Sequence, residues 1–236
     1  VARLAFWVKV LAPLGLLLLL VGLWLNWTLA RPVGQVAIYG EVQYTDLEKL
    51  QSRSLPWLDD AFWRVDLKGL KASLEQDPWL REVLVRRVWP DQIRLELIER
   101  VPWAHWNESH LIDEQGKGFN PGFVYSKELG RHIYSKKDTL AEAVKFWQDL
   151  DVLLQKSDLK LTELRHEQRG AWQLELNASI RVLVGRDNIT SRINRFLWAW
   201  QHWLASEASN LASVDLRYPN GLSVAWQKNS LIHLKE

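Results

Sequence analysis

Six histidines, His105, His110, His132, His166, His202 and His233, are the first residues to test for chemistry, because imidazole is the commonest metal ligand and the usual general base. None stands from another at the helical spacing that a metal-binding helix needs. The adjacent Asp59-Asp60 and the pair Asp149 and Asp151 have the residue types of a glycosidase acid and base. Such pairs are ordinary in acid-rich loops and on solvated helix faces, so they carry no catalytic reading. Gly116-Lys117-Gly118 lacks the upstream glycine and the following hydroxyl of a phosphate loop, and no G-x-S-x-G elbow occurs. Cysteine is absent, which excludes disulfides and thiolate metal sites. No catalytic residue, metal or cofactor is assigned, and a chain without chemistry of its own acts through surfaces.

Those surfaces must be positioned by secondary structure. Val36 and Ile38 alternate with polar neighbours and Gly40 follows, so residues 33–44 read as a strand ending in a turn. Thr45-Asp46-Leu47-Glu48 has capping-box form and predicts a short helix to about Ser52, stopped by Leu55-Pro56. Asp66 caps a second helix with Leu67, Leu70 and Leu74 at helical spacing and Pro78 beyond its end. A β-branched run, the turn Trp89-Pro90-Asp91-Gln92 and the alternating Ile93, Leu95 and Leu97 complete a β-α-α-β-β unit.

The second half reads as a mostly antiparallel β domain with flanking helices, making the chain α+β. A hairpin is expected around Asn107-Glu108-Ser109, and Lys127 to Lys137 is polar enough to be loop. Thr139 and Glu142 repeat the capping-box pattern before a helix whose stripe is Leu140, Ala143, Val144, Trp147, Leu150 and Leu154. Trp172 to Leu176 and Ile180 to Val184 alternate as two antiparallel strands, and a helix from about Ile189 to Leu204 follows. Asn220-Gly221 between alternating runs signals a closing hairpin. Leu222, Val224 and Trp226 share one face of its last strand, which in isolation reads as core.

Residues 10–30 hold no charge between Lys9 and Arg31 and reach about 30 Å as a helix, the thickness of a bilayer core. They are expected to be a retained transmembrane helix rather than a cleaved signal, whose apolar core is shorter. Arg3 and Lys9 precede it without an acid, which places residues 1–9 in the cytoplasm by the positive-inside tendency. Without Arg3, Lys9 and Arg31 the overall charge of +2 becomes about −1 for residues 32–236, no field for nucleic acid. Fifteen tryptophans are many for this length and should lie in cores and interfaces.

An anchor followed by a β-α-α-β-β module resembles the POTRA domain of the bacterial FtsQ/DivIB cell-division family. Gly40-Glu41, Tyr44-Thr45, Pro78-Trp79, Val85-Arg86-Arg87 with Trp89-Pro90-Asp91, Val101-Pro102 and Trp106-Asn107 stand where that family's motifs stand. The likeness continues through Val214-Asp215-Leu216-Arg217-Tyr218, Gly221 and Trp226. It implies four segments: a cytoplasmic tail (1–9), a transmembrane helix (10–30), a POTRA domain (31–101) and a C-terminal β domain (102–236). It also implies a non-enzymatic, single-pass inner-membrane scaffold at the division septum, with most of the chain in the periplasm.

The resemblance implies partners as well: FtsB and FtsL through their periplasmic segments, other division proteins through the POTRA domain and helix, and membrane lipid. Its FtsB surface falls on Arg169, Arg217, Tyr218, Gly221, Leu222, Val224 and Trp226, where a partner strand adds to the sheet. Arg169 and Arg217 would pair with acids, Tyr218 and Trp226 would anchor, and Gly221 would admit a backbone. A second surface on the POTRA domain is implied at Glu82, Val85 and Arg87. Two other readings compete. A POTRA chaperone of outer-membrane assembly would normally carry several modules or a barrel, and a periplasmic cell-wall hydrolase would need a convergent acid and base.

Overall fold

The computed structural model describes residues 14–24, 26–27 and 30–227. Residues 14–24 are helical with exposed leucines, and the rest of the expected 10–30 span falls partly outside the described residues. Among the described residues no helix is long and apolar enough to cross a membrane. The chain divides into two compact units, Val1–Arg100 and Val101–Glu236.

The first unit contains β1 (Gln35–Tyr39), α1 (Leu47–Leu58), α2 (Leu67–Leu74), β2 (Leu80–Val88) and β3 (Gln92–Glu99), the expected order. Its three-stranded sheet runs β1-β3-β2, with β1 parallel to β3 and β2 antiparallel to it. Ile93, Leu95 and Leu97 alternate inward from the central strand and close the core with Leu50, Phe62, Leu70, Leu74 and Val83.

Two local expectations fail here for tertiary reasons. Asp46, not Thr45, caps α1, accepting from the amides of Glu48 and Lys49 at 3.0 and 3.1 Å. Thr45 is taken by Glu99, whose Oε1 accepts its amide at 2.6 Å and its hydroxyl at 2.7 Å. The same carboxylate accepts the amides of Gln43 and Tyr44, so one side chain at the end of β3 gathers the whole turn before α1. Nor does α1 stop at Leu55: it continues through Pro56 to Leu58. In a last turn proline forfeits one backbone bond, and continuation packs Trp57 against the core and over Gly69, where a Cβ would overlap the indole.

The second unit is built on a nine-stranded sheet. In chain order its strands are β4 (Pro102–Trp106), β5 (His110–Asp113), β6 (Gly118–Phe119), β7 (His132–Tyr134), β8 (Leu161–His166), β9 (Trp172–Leu176), β10 (Ile180–Gly185), β11 (Leu211–Asp215) and β12 (Ser223–Trp226). In space they run β12-β11-β10-β9-β8-β7-β4-β5-β6. The pairs β4/β7, β7/β8 and β10/β11 are parallel and the other neighbours antiparallel, so the sheet is more mixed than the alternation implied.

Helices α3 (Leu140–Leu154) and α4 (Ile189–Ala199) pack on this sheet, α3 burying the six-residue stripe read from its sequence. Thr139 caps α3 without a side-chain bond; its hydroxyl donates instead to the Lys136 carbonyl. After α4 a π-helical turn, Trp200–Leu204, keeps both of its end residues buried, with the Trp200 indole donating to the Ser157 carbonyl. The stretch read as loop contains β7, whose Ile133 is fully buried between β4 and β8. Three residues with one apolar member carry no legible period, and only the neighbouring strands make them a strand.

Candidate partner-binding edge

The last strand, β12, pairs with β11 alone, and among the described residues no strand lies on its outer side. A terminal strand directs alternate main-chain amides and carbonyls outward, where another strand could pair with them. Leu222 and Val224 are half-buried against the core, Val224 opposite Val214, whereas Trp226 on the same face is 42% exposed. The stripe is therefore divided, core at one end and open indole at the other.

The connection from β11 to β12 is a loop over residues 216–222, not the tight Asn-Gly hairpin expected, and neither Asn220 nor Gly221 takes a left-handed φ. Two arginines of α4 hold it. Arg195 donates to the carbonyls of Leu216, Tyr218 and Pro219 at 3.2, 3.0 and 2.7 Å. Arg192 donates to those of Val184 and Arg217 at 2.8 and 3.2 Å. Sequence reading passed over both, because a carbonyl-binding arginine on a helix looks like any solvated cation until the loop is folded beneath it. Held in this way, the loop presents Tyr218 at 55% exposure. A Cβ at Gly221 would meet nothing within 4 Å, so among the described residues nothing requires glycine there.

Arg217 already has an acid. Its Nη2 donates to Asp215 Oδ2 at 2.7 Å and its Nε to Oδ1 at 3.0 Å, and its amide donates to the same Oδ1. The side-chain bond from Arg217 holds the Asp215 carboxyl below the usual carboxylate range, and the carboxylate raises the guanidinium in turn. Arg169, in the turn between β8 and β9, is exposed and makes no ion pair among the described residues. Strand directions place the start of β9, the ends of β10 and β11 and the start of β12 at one end of the sheet. That end therefore gathers Arg169, Arg217, Tyr218 and Gly221, with Arg169 roughly 15 Å from β12 by strand spacing.

The second implied surface lies on β2, an edge strand of the first unit's sheet. Val85 is packed against the core, and Arg87 donates from Nε to the Phe62 carbonyl at 3.0 Å and from Nη2 to those of Trp63 and Val65. Glu82 lies on the opposite face from Val85 and Arg87 by the period of the strand, so the three share an edge but not a face. That edge is partly covered, since the Val83 amide donates to the Glu75 carboxylate.

The polar groups tested for chemistry mostly stay apart. Asp60 is engaged by the Ala61 amide and Arg64, and Asp149 is exposed on α3. His105 and His132 do come together, stacked at 4.9 Å, and the Glu128 carboxylate accepts from the His132 ring at 3.2 Å. The Gly130 amide is the first cause of the lowered Glu128 carboxyl, with His132 second. Among the described residues no group of three or more metal-ligating side chains converges.

Comparison with known proteins matches both units. The family model described as "Cell division protein FtsQ/DivIB, C-terminal" covers residues 104–217, and that of the FtsQ-type POTRA domain covers residues 31–100. Cell division protein FtsQ of Neisseria meningitidis is 31% identical over 231 residues, 97% of this chain and 96% of the relative. Its counterpart in Neisseria gonorrhoeae is 32% identical over 224 residues, 94% and 90% of the two chains. That of Escherichia coli is 29% identical over 209 residues, 86% and 76%. With both domain types matched in series and relatives aligned almost end to end, the chain belongs to the FtsQ/DivIB family of bacterial cell-division proteins.

Proposed function

We propose that the chain is a non-catalytic scaffold of the division machinery, anchored in the inner membrane by residues 10–30 with the tail cytoplasmic and residues 31–236 periplasmic at the septum. Its second unit collects the FtsB–FtsL pair by accepting an FtsB strand beside β12. The observation that carries this reading is the open outer edge of β12, flanked by the exposed Tyr218 and Trp226. Main-chain pairing supplies affinity at such an edge, and side-chain anchors choose the peptide. Leu222 and Val224 support the strand from the core side, and Gly221 leaves the approach open.

The two arginines divide the work. Arg217, preorganised by Asp215, offers its remaining donor Nη1 to a partner acid near β12. Arg169 lies too far for the added strand itself, so it meets an acid on the segment that precedes or follows that strand. Glu82, Val85 and Arg87 mark the POTRA edge as a second docking place for other division proteins, Glu82 making contact and Val85 and Arg87 shaping the strand.

Binding of the full chain, reconstituted in nanodiscs, to a periplasmic FtsB peptide tests this. Tyr218→Ala and Trp226→Ala each weaken binding about thirtyfold, the effect of losing an anchor worth about 2 kcal/mol, while melting stays unchanged. Tight binding that survives both substitutions refutes the edge as the site. No binding at all favours a POTRA chaperone role.

A further inference from the structure

The end of the first unit that follows the apolar segment carries two exposed indoles. The Phe62 amide donates to the Arg31 carbonyl at 2.7 Å and Pro32 bridges Ala61, so the loop between α1 and α2 is tied to the first residues after that segment. The Gly34 amide donates to the Asp91 carbonyl at 2.8 Å, which ties the β2–β3 turn to the same place. Trp63 stands in the first of these elements at 46% exposure and Trp89 in the second at 78%. The Arg87 guanidinium joins them, spanning from β2 to the carbonyls of Phe62, Trp63 and Val65. On the chain side, Arg31 lies over the ring of Trp27, itself 62% exposed, at 3.9 Å.

We infer that Trp63 and Trp89 are interfacial anchors that seat this end of the first unit in the headgroup layer of the bilayer entered by residues 10–30. The inference rests on the proposed membrane anchoring. Distance favours lipid over a protein partner. Trp63 is one residue from an amide bonded to Arg31, hence within about two Cα steps of 3.8 Å of the anchor's exit. The polar layer adds roughly 5–8 Å on each side of the hydrocarbon core. An indole side chain at that distance reaches the layer, and Trp favours it because the ring is apolar while its N–H stays hydrated. Two indoles from separate elements, with Trp27 as a third on the chain itself, fix the tilt of the unit as well as its height.

The chain has no cysteine, so single labels can be placed at will. The full chain carrying Arg64→Cys, labelled with a fluorophore and reconstituted in phosphatidylethanolamine–phosphatidylglycerol vesicles, is exposed to aqueous iodide. Glu41→Cys, beyond the opposite end of β1, is the control. Quenching at position 64 is expected at least threefold weaker than at 41. In Trp63→Ser/Trp89→Ser it should rise to the control level with flotation on vesicles unchanged. Equal quenching at both positions, or protection that survives the double substitution, overturns the inference while the anchor stands. Protection that grows with protein density would mean a second copy covers the indoles, and also overturns it. Failure of the wild-type chain to float overturns the anchor and this inference together.

Discussion

Asp215 and Arg217 form a structural pair whose arginine also belongs to the proposed partner surface. The carboxylate engages the arginine by Nε, Nη2 and the main-chain amide, which orients the guanidinium before any partner arrives. Because the folded carboxyl titrates below its ordinary value of about 3.9, the stability it contributes is complete above that value and is lost as pH falls through the depressed one. With the Arg217 side chain 60% exposed the contribution is screened and small. The difference in melting temperature between the wild-type chain and Asp215→Asn should be present at pH 7 and shrink steadily below about pH 4. A difference that is constant with pH would show that the pair does not persist in solution.

At the scale of elements, open strands are treated differently in the two units. The β2 edge is partly covered by Glu75, and an arginine near its end is spent on the α1–α2 loop. Among the described residues the β12 edge is left open, and its preceding loop is held from behind by Arg192 and Arg195 of α4. Fixing a loop before binding lowers the ordering cost that the partner must offset. Arg195→Met removes three carbonyl contacts and should cost about 1.5 kcal/mol of stability, with FtsB-peptide binding weakened through a mobile Tyr218. If thermal melting falls while affinity is untouched, Arg195 is only a packing residue and the loop plays no part in recognition. Glu99 does the comparable work in the first unit, where one carboxylate organises the turn into α1.

For the whole molecule, the reading requires residues 31–236 on one side of the membrane. Trypsin added to intact spheroplasts should therefore digest the bulk of the chain, which is rich in lysine and arginine, and leave only a short membrane-held fragment. A protected bulk would invert the proposed orientation and remove the septal periplasm as the place of action. The indole footing adds a constraint to this picture, because a unit seated in the headgroups presents its POTRA edge at a fixed height to neighbouring membrane proteins.

The order β-α-α-β-β, the α3 stripe, the Trp172 and Ile180 strands and the family itself were legible in the chain, because apolar period and turn chemistry are local properties. The same locality explains the failures. Thr45 looked like a cap until Glu99, far along the chain, took its hydroxyl, and Pro56 looked like a stop until Trp57 found Gly69. Residues His132–Tyr134 had no period of their own, and two flanking strands made them part of the sheet. The residue types of the proposed partner surface follow from the resemblance. Only the tertiary structure decided that Leu222 and Val224 lean on the core while Trp226 stays open, since exposure on a strand depends on what the rest of the sheet places beneath it.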